Sequence, residues 1–310
     1  MTSKIHSVGM AIAVVVVTVA SGVSAQSTVA SNQKNTANVR AQLNAVVNDV
    51  NGNVSQTAAA ISNSATLSGG GPVTVRNVQD SWGSTSATLS STVGNVNGDV
   101  AATAAALGNS ATVTLDGNVV SKVTNAQYTH RGQFVATTDL KAANIDGAVT
   151  GTAASIANSF TATGEGALNV SNAQYFNGDS RAVMNAAVRD VSDKVNLTSA
   201  ALANSATIDL QHAGKGMVSN TQMSGYDPTA TLNAMVSNVD DAVSTTAAAI
   251  SNSLTVNTGA NTMLAATSVQ NNTALTQAMA TVSIRNVDSA SLTAAAIGNS
   301  ATISRVTNGL

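Results

Sequence analysis

The chain has no cysteine, two prolines, and only 2% aromatic and 9% charged residues across 310 positions. Without cysteine there are no disulfide staples, no zinc–thiolate sites and no thiol catalysis. So few rings cannot build a conventional bulky core. A formal net charge of −2 offers no basic surface for nucleic acid or an anionic membrane, so neither is expected as a partner. Catalytic signatures are missing too: there is no G-x-S-x-G, no H-E-x-x-H and no P-loop. Beyond the first 25 residues the histidines are His130 and His212, which fit no metal spacing and read as surface residues. Asp49-Val50-Asn51-Gly52-Asn53 resembles the start of a calcium loop. Its glycine is misplaced and Ala60 stands at the twelfth position, so a turn is the better reading. Asp240-Asp241 is a lone acidic pair with no facing partner. No catalytic residue, no metal and no cofactor is expected, and the chain reads as a non-enzyme.

What the chain does have begins with an export signal. Lys4 precedes an apolar run from Ala11 to Ala20, and Val23-Ser24-Ala25 is a small-residue cleavage site. The run is too short to span a bilayer comfortably. Residues 1–25 are therefore expected to be removed, leaving an exported chain from Gln26. Residues 26–310 are expected to form one repetitive domain.

That domain repeats one phrase six times: Thr57–Leu67, Thr103–Val113, Thr152–Ala162, Thr198–Ile208, Thr246–Val256 and Thr293–Ile303, with the cleanest form TAAAIGNSATI. Its asparagines Asn63, Asn109, Asn158, Asn204, Asn252 and Asn299 are spaced by 46, 49, 46, 48 and 47 residues. A second phase-locked mark is glutamine, at Gln79, Gln127, Gln174, Gln222 and Gln270. Four of these close an N-x-Q motif that starts at Asn77, Asn125, Asn172 and Asn220, with a valine two residues earlier. A third is N-V-x-x-x-V, as in Asn95-Val96 followed by Val100. Cut at the glutamine mark, the repeats run about 31–78, 79–126, 127–173, 174–221, 222–269 and 270–310. A period in this range marks a chain that stacks one unit on the next, and such chains are mostly scaffolds and fibres.

Two secondary structures compete. Leu89, Val93, Val96, Val100, Ala104 and Leu107 step by 4, 3, 4, 4 and 3, a helical stripe. Against it, Gly52, Gly94 and Gly98 interrupt the stripe, and Asn, Ser, Thr and Val dominate, all mediocre helix formers. The phrase itself alternates, with Thr57, Ala59, Ile61, Asn63, Ala65 and Leu67 on one face. The expected fold is all-β, a β-solenoid of about six 47-residue repeats, with a helical repeat array as the alternative. Stacking would set each Asn and Gln over its equivalent as an amide ladder. Two coils of about 23 residues per repeat would give roughly a dozen rungs, on the order of 55–60 Å.

The cleaved signal, N-x-Q, N-V-x-x-x-V and AAAIGNSATI together resemble the holdfast anchor proteins of stalked alphaproteobacteria, and among them the HfaD-like repeat-bearing subunits. More distantly they resemble curlin surface-fibre subunits. The curlin spacing S-x5-Q-x-G-x-x-N is not met, since glycine does not follow the glutamines at the right place. The resemblance covers residues 31 to 303. It implies a subunit at the outer-membrane surface or outside the cell that ties an adhesive polysaccharide, the holdfast, to the envelope. The implied partners are itself or related surface subunits, an outer-membrane anchor protein and the polysaccharide adhesin.

The Asn and Gln marks read as a structural ladder. The scarce aromatics Trp82, Tyr128, Tyr175 and Tyr226 fall in the variable stretch after each glutamine, and are the expected contact face for polysaccharide or a partner. Low charge leaves solenoid ends poorly guarded, and the closing Asn308-Gly309-Leu310 has no room for a cap, so end-to-end association is expected. The alternative function is a monomeric solenoid that binds glycan or ice, for which Thr66, Thr112, Thr161, Thr207, Thr255 and Thr302 supply one threonine row. A polysaccharide-cleaving solenoid would need clustered carboxylates, which the sequence lacks.

Overall fold

The computed structural model describes residues 14–19, 27–117, 120–211, 215–259 and 263–305. The expected export signal, apart from 14–19, lies outside the described residues, as do His212 and Asn308-Gly309-Leu310. The described chain is a β-solenoid with fifteen strands, no helix, and parallel pairing throughout. Strand β1 is Val14–Val19. The first coil is β2 (Ser27–Asn35), β3 (Val39–Val50) and β4 (Val54–Gly70). The second is β5 (Val73–Ser81), β6 (Thr85–Val96) and β7 (Val100–Asp116). The next four coils each run through two longer strands or a short and a long one. These are β8 (Ser121–Ile145) with β9 (Val149–Gly164), β10 (Leu168–Val191) with β11 (Val195–Leu210), β12 (Lys215–Ser224) with β13 (Pro228–Thr258), and β14 (Met263–Asn272) with β15 (Gln277–Arg305).

Every coil has three faces. Face A stacks β2, β5, the first parts of β8 and β10, β12 and β14. Face B stacks β3, β6, the second parts of β8 and β10, and the first parts of β13 and β15. Face C carries the repeated phrase in β4, β7, β9, β11 and the ends of β13 and β15, with β1 lying beside β4.

One repeat is one coil. Thr57 pairs with Thr103, Thr103 with Thr152, Thr152 with Thr198, Thr198 with Thr246 and Thr246 with Thr293. This overturns the expectation of two coils per repeat. Wrapping three faces takes a whole repeat, so six coils rise roughly 25–30 Å at strand spacing, half the expected length.

The alternation expected along the phrase is also corrected. Val54, Gln56, Ala58, Ala60 and Ser62 point inward, and then so do Asn63, Ala65 and Leu67. The phase slips between Ser62 and Asn63, where the ladder skips a residue in every coil. A β-bulge of this kind kinks the strand and re-aims its side chains. Thr57, Ala59 and Ile61 therefore face out while Asn63, Ala65 and Leu67 face in. The kink divides the interior in two. Before it, Ala58 and Ala60 pack on face B residues such as Leu89, Val93, Leu140, Met184 and Leu232. After it, Leu67, Val113 and Ile208 pack on face A residues such as Val75, Val123 and Leu168. Phe134, Ala157, Phe176 and Ala203 form a small cluster of their own.

The helical-looking stripe has a β origin. From Leu89 to Val93 the strand passes an inward, polar Ser91. From Val93 to Val96 it passes Asn95, whose φ of 54° lies in the left-handed region and turns the chain by a residue. The same corner is held by Asp49, Asn144, Asp190, Asn238 and Asn286, with φ between 52° and 59°. Asn and Asp tolerate this conformation where β-branched residues do not, which is what the N-V-x-x-x-V element encodes.

Candidate functional site

Two constructions stand out: amide ladders inside the solenoid and an aromatic strip outside it. In the V-x-N-x-Q segment of face A, residues of like parity point inward, so Val75, Asn77 and Gln79 all enter the interior. Gln79 Nε2 donates to Gln33 Oε1 at 2.7 Å, Gln127 to Gln79 at 2.8 Å, Gln174 to Gln127 at 2.7 Å, Gln222 to Gln174 at 2.8 Å and Gln270 to Gln222 at 2.7 Å. The second hydrogen of each Nε2 goes to the backbone carbonyl of the phrase's serine, as from Gln127 to Ser159 at 2.8 Å and from Gln174 to Ser205 at 2.9 Å.

The phrase asparagines form a second ladder of opposite direction. Asn63 Nδ2 donates to Asn109 Oδ1, Asn109 to Asn158, Asn158 to Asn204, Asn204 to Asn252 and Asn252 to Asn299, all at 2.8–2.9 Å. Their other hydrogen crosses to face A, for example from Asn109 to the Tyr128 carbonyl at 2.9 Å. The bulge is what turns these asparagines inward. Buried amides are thereby paired on both hydrogens, which removes the cost of burying them. A third ladder, Asn77 to Asn125 to Asn172 to Asn220 at 2.7 Å each, then Asn220 to Ser268 Oγ at 3.1 Å, runs beside the glutamines. Sequence reasoning quoted the N-x-Q asparagines without assigning them a ladder, and missed Gln33. The signal for Gln33 was its distance of 46 residues from Gln79. It was hidden because Ser31 replaces the motif's asparagine.

The aromatics lie where face A turns into face B. Trp82 stacks on His130 with ring centroids 4.1 Å apart and planes at 16°. Tyr128 lies 6.4 Å from His130, and Tyr128 stacks on Tyr175 at 5.2 Å and 4°. Lys34 Nζ sits 5.8 Å from the Trp82 ring centre, within cation–π range. His130 Nε2 lies 2.9 Å from an Asp80 carboxylate oxygen, and Trp82 Nε1 donates to the other at 2.9 Å. The parallel register causes this, setting Asp80 beside Tyr128 and Tyr128 beside Tyr175. Tyr226, 48% exposed, has no ring contact with the strip among the described residues. The register sets Met223, not Tyr226, beside Tyr175. His130, read from sequence as a plain surface residue, joins the strip. Its signal was a spacing of 48 from Trp82.

Face B carries a groove of about 710 Å³ lined by Ser90, Asp139, Lys141, Asn185, Asn233 and Met235 among others. Asn185 Nδ2 donates to Asp139 at 2.6 Å, and Asn233 to Asn185 at 3.0 Å. Among the described residues no three His, Asp or Glu side chains gather as a metal site. The one facing pair of acid and imidazole in these features, Asp80 and His130, is held within the aromatic strip by Trp82. What they offer is surface and stacking.

No curated protein matches the chain, and no solved structure does. A family model does, that of holdfast attachment protein D, over residues 2–167 and again over 68–310. The two overlapping matches are what a register-tolerant repeat produces, and together they span nearly every coil. With its stacked coils, laddered amides and this match, the chain belongs to the holdfast attachment protein D family.

Proposed function

We propose that this protein is an exported structural subunit that anchors an adhesive polysaccharide to the cell envelope, and that the aromatic strip is where the polysaccharide lies. One observation carries the reading. In a chain with 2% aromatic residues, Trp82, His130 with Tyr128, and Tyr175 come from three successive coils into one continuous stack. Sugar rings present apolar C–H faces that pack on such platforms, and Asp80 and Lys34 beside them supply hydrogen-bonding groups. Residues 26–310 act as one repetitive unit once residues 1–25 have directed export. An outer-membrane protein and related surface subunits complete the anchor.

Self-association supports the same role. Among the described residues Gln270 uses both Nε2 hydrogens and its Oε1 accepts none, while Gln33 gives one hydrogen, to Ser64 at 2.7 Å. A second copy placed head to tail would continue the ladder and cover the open edges of β14 and β15.

The test replaces Trp82, Tyr128, Tyr175 and Tyr226 with alanine, together and singly, and measures retention of purified polysaccharide and attachment of cells. Loss at Trp82, Tyr128 and Tyr175, with a smaller effect at Tyr226, is expected. Undiminished retention in the fourfold variant, with its circular dichroism unchanged, would sink the reading.

A further inference from the structure

Face C repeats itself more faithfully outside than inside. Its outward rows are Thr57, Thr103, Thr152, Thr198, Thr246 and Thr293, then six alanines from Ala59 to Ala295, then Ile or Leu from Ile61 to Ile297, then six serines from Ser64 to Ser300, and six threonines from Thr66 to Thr302. No charged or aromatic side chain interrupts them. Beneath, the Asn63 row is constant and the Ala58 and Ala60 rows each change once, to Ser199 and Ser155, but the two inward rows after the bulge vary more. The Ala65 row holds Phe160 and Leu254, and the Leu67 row holds Leu, Val, Ala and Ile. Recent duplication would leave both sides equally alike. A solenoid constrained by folding alone would fix its core and let its outer surface drift. Alanine is a poor strand residue, yet it fills one outward row in all six coils beside a row of Ile and Leu. Something outside the monomer holds these rows constant.

We infer that face C is the interface between two copies of this chain, packed face to face. The rows from Thr57 to Thr66 are roughly 30 Å wide and six coils roughly 30 Å tall. The face is thus on the order of 900 Å², close to the roughly 800 Å² per partner of a stable interface. The order Thr, Ala, Ile/Leu, Ser, Thr is nearly palindromic. A twofold axis lying in the interface, along the strands or along the stack, sets the aliphatic row on itself and threonine rows on threonine rows. Small Ala and Ser rows between them let the two sheets close dry, as in paired cross-β sheets. A second copy presents rows at the same pitch, so the two faces match row for row. With no outward charge and no outward ring between its Thr57 and Thr66 rows, this part of face C is unlike the aromatic strip. The inference goes beyond the proposed polysaccharide role and holds whatever the strip binds.

The chain has no cysteine, so single cysteines report cleanly. Ala154→Cys on face C should be joined to its counterpart by a short bismaleimide. Ala187→Cys, on face B in the row of Lys141, should not. Sedimentation of the purified chain should show an even-numbered assembly. The pair Ala154→Arg and Ala200→Arg should weaken pairing at least tenfold, with circular dichroism unchanged, while Ala187→Arg leaves the mass alone. Head-to-tail stacking would survive the arginine pair, so it is told apart. Three results would overturn the inference: a monomer at tens of micromolar, equal cross-linking at both cysteines, or an arginine pair that loses polysaccharide while keeping its mass.

Discussion

Replacing Gln127 by methionine removes one rung from the middle of the glutamine ladder while keeping nearly the same volume. Gln127 is fully buried. It donates to Gln79 Oε1 and to the Ser159 carbonyl, each at 2.8 Å, and accepts from Gln174 at 2.7 Å. Three hydrogen bonds at about 1 kcal/mol each give a floor near 3 kcal/mol. The change also strands Gln79 Oε1, the Ser159 carbonyl and one Gln174 N–H away from water, and at about 2 kcal/mol for each orphan the cost rises to about 6 kcal/mol. Gln270→Met at the last coil removes two bonds, has no further coil stacked above it among the described residues, and is only half-buried, so about 1 kcal/mol is expected there. Urea unfolding followed by circular dichroism and by the single tryptophan, Trp82 in the neighbouring coil, measures both. Repeat arrays lose coupling where an interface fails, so Gln127→Met should also separate the tryptophan transition from the dichroism transition. Equal midpoints for the two variants, or a loss below about 1 kcal/mol at Gln127, would refute the claim that the ladder holds the coils together.

Gln56 is 7% exposed and neither of its amide atoms has a partner among the described residues, while Leu197 and Leu292 hold the same row in later coils. Gln56→Leu should therefore raise stability by about 1–2 kcal/mol in the same urea assay, and a loss would show that the amide is satisfied. Asn144 has a φ of 58° and donates to Asn95 at 2.9 Å. Asn144→Val should cost about 2 kcal/mol or more and Asn144→Gly distinctly less, since only valine adds left-handed strain. Matching losses would place the cost in the hydrogen bond instead.

The period of the phrase, the lack of cysteine and charge, and the wealth of β-branched residues were sufficient by themselves to set the fold class, because stacking identical units is the way such a chain buries surface. The family signature was legible for the same reason, being written six times. The spacing of Asn63 from Asn109, and of Gln79 from Gln127, also put like over like. Three things waited for the tertiary structure. The number of coils per repeat depends on how many faces the chain turns through, and periodicity in sequence is blind to corners. The direction of Ile61 against Asn63 depends on a bulge at Ser62 that no residue type announces: Ser62, Gly108, Ala157, Ala203, Ser251 and Gly298 occupy it in turn. The joining of Trp82, His130, Tyr128 and Tyr175 depends on parallel register, which sets residues about 48 apart side by side and leaves Tyr226 off the strip. Repetition fixed what each coil contains, and the turns between strands decided which of its side chains meet.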